Sequence, residues 1–159
     1  MAKNMKNQAQ CKTIYYLREI EAVYKPSTRS NVSIKITCSD DVVRWFCDLQ
    51  DKSCEHFIVL YLNSPNNIIC YSEFTGGLDS CSVDQRVIFQ HALLCGATGI
   101  ILLHNHPSGN NIPSSNDIEI TKNICSSGKC LGIKVLDHII IAGDSHYSFA
   151  VQTNIITTF

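Results

Sequence analysis

Apolar residues recur along this chain in two rhythms. Val42, Val43, Phe46 and Leu49 follow helical spacing behind Ser39, which predicts a helix from an N-cap at Ser39 to about Gln50. Residues 83–97 repeat that rhythm through Val83, Val87, Phe89, Leu93, Leu94 and Ala97, and predict a second helix that ends at Gly96 and Gly99. Residues 114–127 predict a third, closed by Gly128. The other rhythm is short and rich in β-branched and aromatic residues. It predicts strands over 55–62 (EHFIVLYL), 67–73, 100–104 and 133–142 (IKVLDHIIIA), with a short last one over 147–151. Residues 63–67 around Pro65 read as the turn of a hairpin, and Gly76-Gly77 breaks its second strand. Near the N-terminus, residues 13–24 alternate loosely and predict a strand, after a polar lead-in over 1–12 and before a loop over 25–31.

The order β, α, ββ, α, β, α, ββ predicts an α/β fold: one mixed, curved β-sheet with helices on both faces. A length of 159 residues, with 45% hydrophobic and 17% charged, fits a single domain and excludes a disordered chain. The longest uncharged apolar stretch, residues 92–103, is short of the roughly 20 residues a bilayer demands, so a membrane is not an expected partner. Residues 1–12 lack an apolar core, so no secretory signal is expected. The nine cysteines are odd in number and form no CxxC pair, which excludes a zinc ribbon and a thioredoxin motif. They are read as reduced thiols in a cytoplasmic setting.

Charge changes this picture at one end. Residues 1–37 carry seven Lys/Arg against two Glu, and the remainder six against twelve acids. The division is therefore a basic N-terminal arm with an edge strand, 1–37, and a globular domain, 38–159. A basic arm can meet nucleic acid, although a solvated tail has the same composition.

The chemistry concentrates in His104-Asn105-His106-Pro107 followed by Ser114-Ser115-Asn116-Asp117. On an extended segment His104 and His106 project to one face, about 6.5–7 Å apart along the strand, and two imidazoles so placed can converge on one ion. Pro107 keeps His106 out of the helical region and stops the strand. A loop over 107–113, then a helix start, can return the Asp117 carboxylate to the strand end. Such a His-His-Asp set leaves one position open, the pattern of a catalytic zinc site. A glutamate that is not a ligand would serve as base: Glu55 on position, with Glu73, Glu119 and Asp137 as the other candidates. Ser114-x-x-Asp117 also has the form of a capping box, which is compatible with a ligand role for Asp117.

These residues resemble the JAMM motif of the JAB1/MPN metalloprotease superfamily, and the surroundings resemble its RadC-like branch. The matching strings are Gly76-Gly77, DQRVIF over 84–89, ATGIILLHNHPSG over 97–109 and Leu136-Asp137-His138, so the likeness spans about residues 38–150. The resemblance implies the JAB/MPN (cytidine-deaminase-like) sandwich and a zinc-dependent hydrolase of amide bonds, peptide or isopeptide. It implies His104, His106 and Asp117 as ligands of Zn2+, Glu55 as general base and Ser114 as a donor to the oxyanion. Two departures stand out. Relatives called DNA-repair proteins commonly carry an N-terminal helix-hairpin-helix region, which is not expected in this chain for want of room, and Gln85 stands where many relatives have proline.

The partners carried forward are a peptide or protein substrate, nucleic acid through the basic arm, and a second copy of the chain in a homodimer. The competing function is a DNA-repair or recombination protein acting on or near nucleic acid. The literal His-Asn-His string is not an HNH nuclease motif, whose residues spread over a ββα unit, and the H-x-E and P-C-x-x-C signature of zinc deaminases is absent. A metal-free scaffold is the remaining class, and retention of every ligand speaks against it. Asp137-His138 could orient a ligand or be structural. His56 and His91 read as surface residues, His146 as a loop residue, Asn105 and Ser108-Gly109 as shaping the loop, and Cys125 and Cys130 as non-ligands.

Overall fold

Strand β1, His56–Leu62, is buried from Phe57 onward, because a run this apolar is stable only between two covered faces. The structure, a computed structural model, describes residues 34–75 and 83–156. The strand expected over 13–24, the loop over 25–31, most of the basic arm and the Gly76-Gly77 break lie outside the described residues. β1 sits in a five-stranded sheet with β2 (Ile68–Thr75), β3 (Gly99–Asn105), β4 (Lys134–Ala142) and β5 (Ser145–Ser148), in the order β2-β1-β3-β4-β5. β3 and β4 run parallel and the other pairs antiparallel, so the sheet is mixed as expected. Residues 34–36 lie along the entry to β2, where Lys35 bridges Asn67.

Alternation along the strands divides the core in two. On one face Phe57, Val59, Tyr61, Ile100 and Leu102 pack with Ile88, Phe89 and Ala92 of α2 (Gln85–Leu94), Ile124 of α3 (Ser115–Leu131) and Phe149 of α4 (Phe149–Gln152). On the other, Ile58, Leu60, Leu62, Ile101 and Leu103 meet Val42 of α1 (Ser39–Trp45), Phe46, and Leu49 of a 3-10 turn over Cys47–Asp51. Helices therefore cover both faces. His104 continues the series of Ile100 and Leu102 and so points to the α3 side.

Several boundaries differ from expectation, each for a local reason. Cys38, not Ser39, is the N-cap of α1, and the Asp41 carboxylate accepts from the amides of Thr37 and Cys38. The first helix stops at Trp45 and tightens into the 3-10 turn instead of running to Gln50. α2 begins later than Val83, because Asp84 caps it by accepting from the Arg86 amide at 2.9 Å. α3 runs through Gly128 and ends at Gly132, whose φ of 69° supplies the left-handed step. The Ile133 amide then donates to the Gly128 carbonyl and the Gly132 amide to that of Lys129, a Schellman closure. Gly128 is glycine for another reason: a Cβ there would sit 2.5 Å from the Ile133 carbonyl oxygen.

The expected last strand over 147–151 is half strand and half helix. β5 ends at Ser148, which caps the helical turn of α4 by accepting from the Val151 amide. The Asp137 carboxylate accepts from the Ala150 amide and the Ser148 hydroxyl, so it fixes this change of direction. His146 lies within β5, not in a loop.

Candidate metal centre

His104 and His106 stand at the C-terminal end of β3, and Asp117 one turn inside α3. The loop between them folds back so that one ligand atom from each lies within 4.8 Å of the others. The two Nε2 atoms are 2.9 Å apart, His104 Nε2 is 3.2 Å from Asp117 Oδ1, and His106 Nε2 is 3.5 Å from Asp117 Oδ2. Three features hold the carboxylate there. The Ser114 amide donates to Asp117 Oδ2 at 2.7 Å, the Ser114 hydroxyl donates to the same oxygen at 2.6 Å, and the Asp117 amide donates to Ser114 Oγ at 3.1 Å. The capping box and the carboxylate's inward reach are thus one arrangement.

The protons on the imidazoles follow from their outer partners. His106 Nδ1 lies 2.7 Å from the Asn110 carbonyl oxygen, which can only accept, so Nδ1 carries the proton and Nε2 a lone pair. His104 is wired through two further residues. The Thr121 hydroxyl gives its one proton to the Asp117 carbonyl, and its oxygen accepts from His138 Nδ1 at 2.6 Å. His138 Nε2 is then an acceptor, and it receives the Nδ1 proton of His104 at 2.8 Å. That leaves His104 Nε2 with a lone pair as well. Complete burial, with the neighbouring His104, drives the pKa of His138 far down and keeps it neutral, as this chain of donors requires.

Two imidazole lone pairs and a carboxylate oxygen therefore converge with no proton assigned between them. Such a set repels itself unless a cation or an extra proton sits at its centre, and its N,N,O composition suits a divalent transition ion. The residues present fit a metal. Burial alone would raise the Asp117 carboxyl, but with a proton in place of a cation at the centre, hydrogen bonds from His104 and His106, with that from Ser114, pull it far below the usual carboxylate range. The Asp117 bond raises the pKa of His106 against the opposing effect of burial, with the Asn110 carbonyl and the charge of Glu55 adding to the rise.

Glu55 precedes β1. The β1–β3 pairing ends at Phe57 with His104, so Glu55 and His106 each lie two residues beyond it at the same end of the sheet, and the charge of Glu55 acts on His106. Asn105 holds this corner. Its side chain points away from the two histidines, accepts from the His56 amide at 2.8 Å and donates to the Cys54 carbonyl at 3.1 Å. One buried amide thus grips the backbone on both sides of Glu55, which goes beyond the loop shaping expected of Asn105. Of the other acid candidates, Glu73 pairs with His56, Glu119 is exposed on α3, and Asp137 is committed to α4. Ser114 has its only proton on Asp117, so donation to an oxyanion would require that proton to leave Oδ2. Asp117 and Thr121 share a buried helical stripe with Ile124 and Gly128, and two polar residues in such a stripe were the signal available for Thr121.

The model of the RadC-like JAB domain matches residues 36–154 of this chain. The chain belongs to the RadC-like JAB domain family. A UPF0758 protein of Salinibacter ruber is 44% identical over 119 residues, 74% of this chain and 51% of the relative. One of Staphylococcus haemolyticus is 44% identical over 124 residues, 77% of this chain and 54% of the relative. One of Flavobacterium johnsoniae is 47% identical over 96 residues, 60% of this chain and 42% of the relative. The chain spans about half the length of these curated relatives. The mixed sheet with flanking helices is the architecture that the RadC-like resemblance implied. No helix among the described residues is long and apolar enough to cross a membrane.

Proposed function

We propose that this RadC-like JAB domain is a zinc-dependent hydrolase of peptide or isopeptide bonds. The observation that supports the reading is the convergence of His104 Nε2, His106 Nε2 and Asp117, whose outer hydrogen bonds leave both ring nitrogens a lone pair to give, with the charge of Glu55 acting on His106. When bound there, a zinc ion supplies Lewis-acid polarisation of a substrate carbonyl and brings a water's pKa to about 7. The remaining work belongs to side chains. Glu55 takes the proton of the attacking water and returns it to the leaving amine. Asn105 fixes the backbone that carries Glu55, and His138 with Thr121 keeps His104 in the tautomer that presents Nε2. Ser114 sets the Asp117 carboxylate, and its hydroxyl becomes a donor to the oxyanion if its proton leaves Asp117.

The test compares zinc-loaded wild type with Glu55→Gln on a library of peptides and isopeptide-linked probes, and on DNA. The reading predicts amide cleavage by wild type, and its loss in Glu55→Gln with zinc retained. Equal rates for the two proteins would remove Glu55 from its role. Cleavage of DNA and not of amides would move the site to a nucleic-acid substrate.

A further inference from the structure

A second cluster lies on the opposite face of the sheet from the metal centre. His56 opens β1 across from Thr75 of β2, and Glu73, paired with Ile58, is its diagonal neighbour on the same face. His56 Nδ1 is 2.7 Å from Glu73 Oε1, and His56 Nε2 is 3.5 Å from Cys54 Sγ. A carboxylate can only accept, so the ring proton sits on Nδ1 and the Nε2 lone pair faces the thiol. Nucleophile, base and orienting acid stand here in the order found in cysteine-based nucleophilic sites. The His56 side chain is 14% exposed and that of Glu73 34%, so the base is shielded while the cluster opens to solvent.

We propose that Cys54, His56 and Glu73 form a thiol-exchange site that reacts with small-molecule disulfides. His56 Nε2 takes the thiol proton, and Cys54 sulfur attacks one sulfur of the disulfide. The new S–S bond forms as the old one breaks, and the departing thiolate receives the proton from His56. One disulfide is consumed, one mixed disulfide forms on Cys54 and one thiol is released, so the step balances without a further oxidant. The other described cysteines lack this backing. Burial pushes the Cys70 thiol up to about 12, with Cys95 adding to it, and burial raises that of Cys125. Cys38, Cys47 and Cys130 are more exposed than Cys54 and provide the internal standard.

The site needs neither metal nor hydrolysis, so it is tested apart from them. The reduced full chain is mixed with glutathione disulfide near neutral pH and quenched in acid at intervals. Mass mapping of peptides then gives the rate at each cysteine. Cys54 is expected to react at least about tenfold faster than Cys38, Cys47 and Cys130, as a thiol backed by a base does. His56→Gln and Glu73→Gln are each expected to slow Cys54 toward those three and leave their rates unchanged. A wild-type Cys54 rate at or below that of the exposed cysteines overturns the proposal, as does a folded His56→Gln variant with Cys54 unaffected. The comparison among wild-type cysteines decides the matter even where a variant fails to fold.

Discussion

His104 Nδ1 lies 2.8 Å from His138 Nε2 across the parallel β3–β4 pair. Strict alternation along β4 would have put His138 on the other side of the sheet. Val135 packs with the α3-side core and Leu136 with the opposite one. The register then slips by one residue: Ile100 pairs with Val135, and Ile101 with Asp137. After the slip His138 returns to the α3 side and meets His104. A bulge of this kind re-aims a side chain that the period of two would misplace.

The wiring behind His104 makes Thr121 testable. Thr121→Val keeps the shape and removes the hydroxyl that His138 Nδ1 donates to. Loss of an outer partner of this kind costs about 10–100-fold in metal affinity. The variant should bind zinc that much more weakly, measured by competition with a chromophoric chelator. It should also lose about 1–3 kcal/mol of stability to the unpaired ring nitrogen.

Metal affinity should fall with acid in a defined way. Zinc needs the imidazole lone pairs, so protons compete with it. Asp117 is held far below the usual carboxylate range and does not compete near neutrality. His106 is raised by its bond to Asp117, so its competition begins above the ordinary imidazole value of about 6.5. Affinity measured from neutral pH downward should therefore start to weaken above that value. An onset only in the carboxylate range would contradict the assignment of ligands.

Asn105 predicts a separation of binding from turnover. Asn105→Ala removes both bonds that flank Glu55 and leaves His104, His106 and Asp117 in place. The Cys54 carbonyl and His56 amide lose their partner, at about 1–3 kcal/mol of stability. Zinc content should stay at the wild-type level, while kcat on a cleavable amide probe falls by about tenfold or more, as small misplacements of a base do.

Gly128→Ala should destabilise the fold without touching the metal centre. The added Cβ would lie 2.5 Å from the Ile133 carbonyl oxygen, which is backbone fixed by the helix closure. Overpacking of this kind costs about 1–3 kcal/mol, read as a lower midpoint in urea unfolding.

How much was legible follows from where each contact is encoded. His104, His106 and Asp117 lie within one short strand-loop-helix segment, so spacing alone brought them together. Short runs rich in β-branched and aromatic residues gave β1 to β4, because β1 and β3 are buried on both faces and β2 is the hairpin partner of β1. The role of Asn105 depends on Cys54 and His56, about fifty positions away, and no local pattern marks such a contact. His138 was hidden by the slip in β4. Gly128 was read as a helix end because glycine marks both left-handed turns and close approaches, and here Gly132 makes the turn. The last strand turns helical after Ser148, against expectation, because Asp137 and Ser148 capture amides that a continuing strand would use.

The central claim is tested most directly by zinc stoichiometry. Wild type, Glu55→Gln and His104→Ala are stripped with chelator, reloaded with zinc, desalted and assayed for bound metal. The account predicts one zinc per chain in wild type and in Glu55→Gln, and none in His104→Ala. A wild type that emerges empty, or a His104→Ala chain that still holds one zinc, would contradict it.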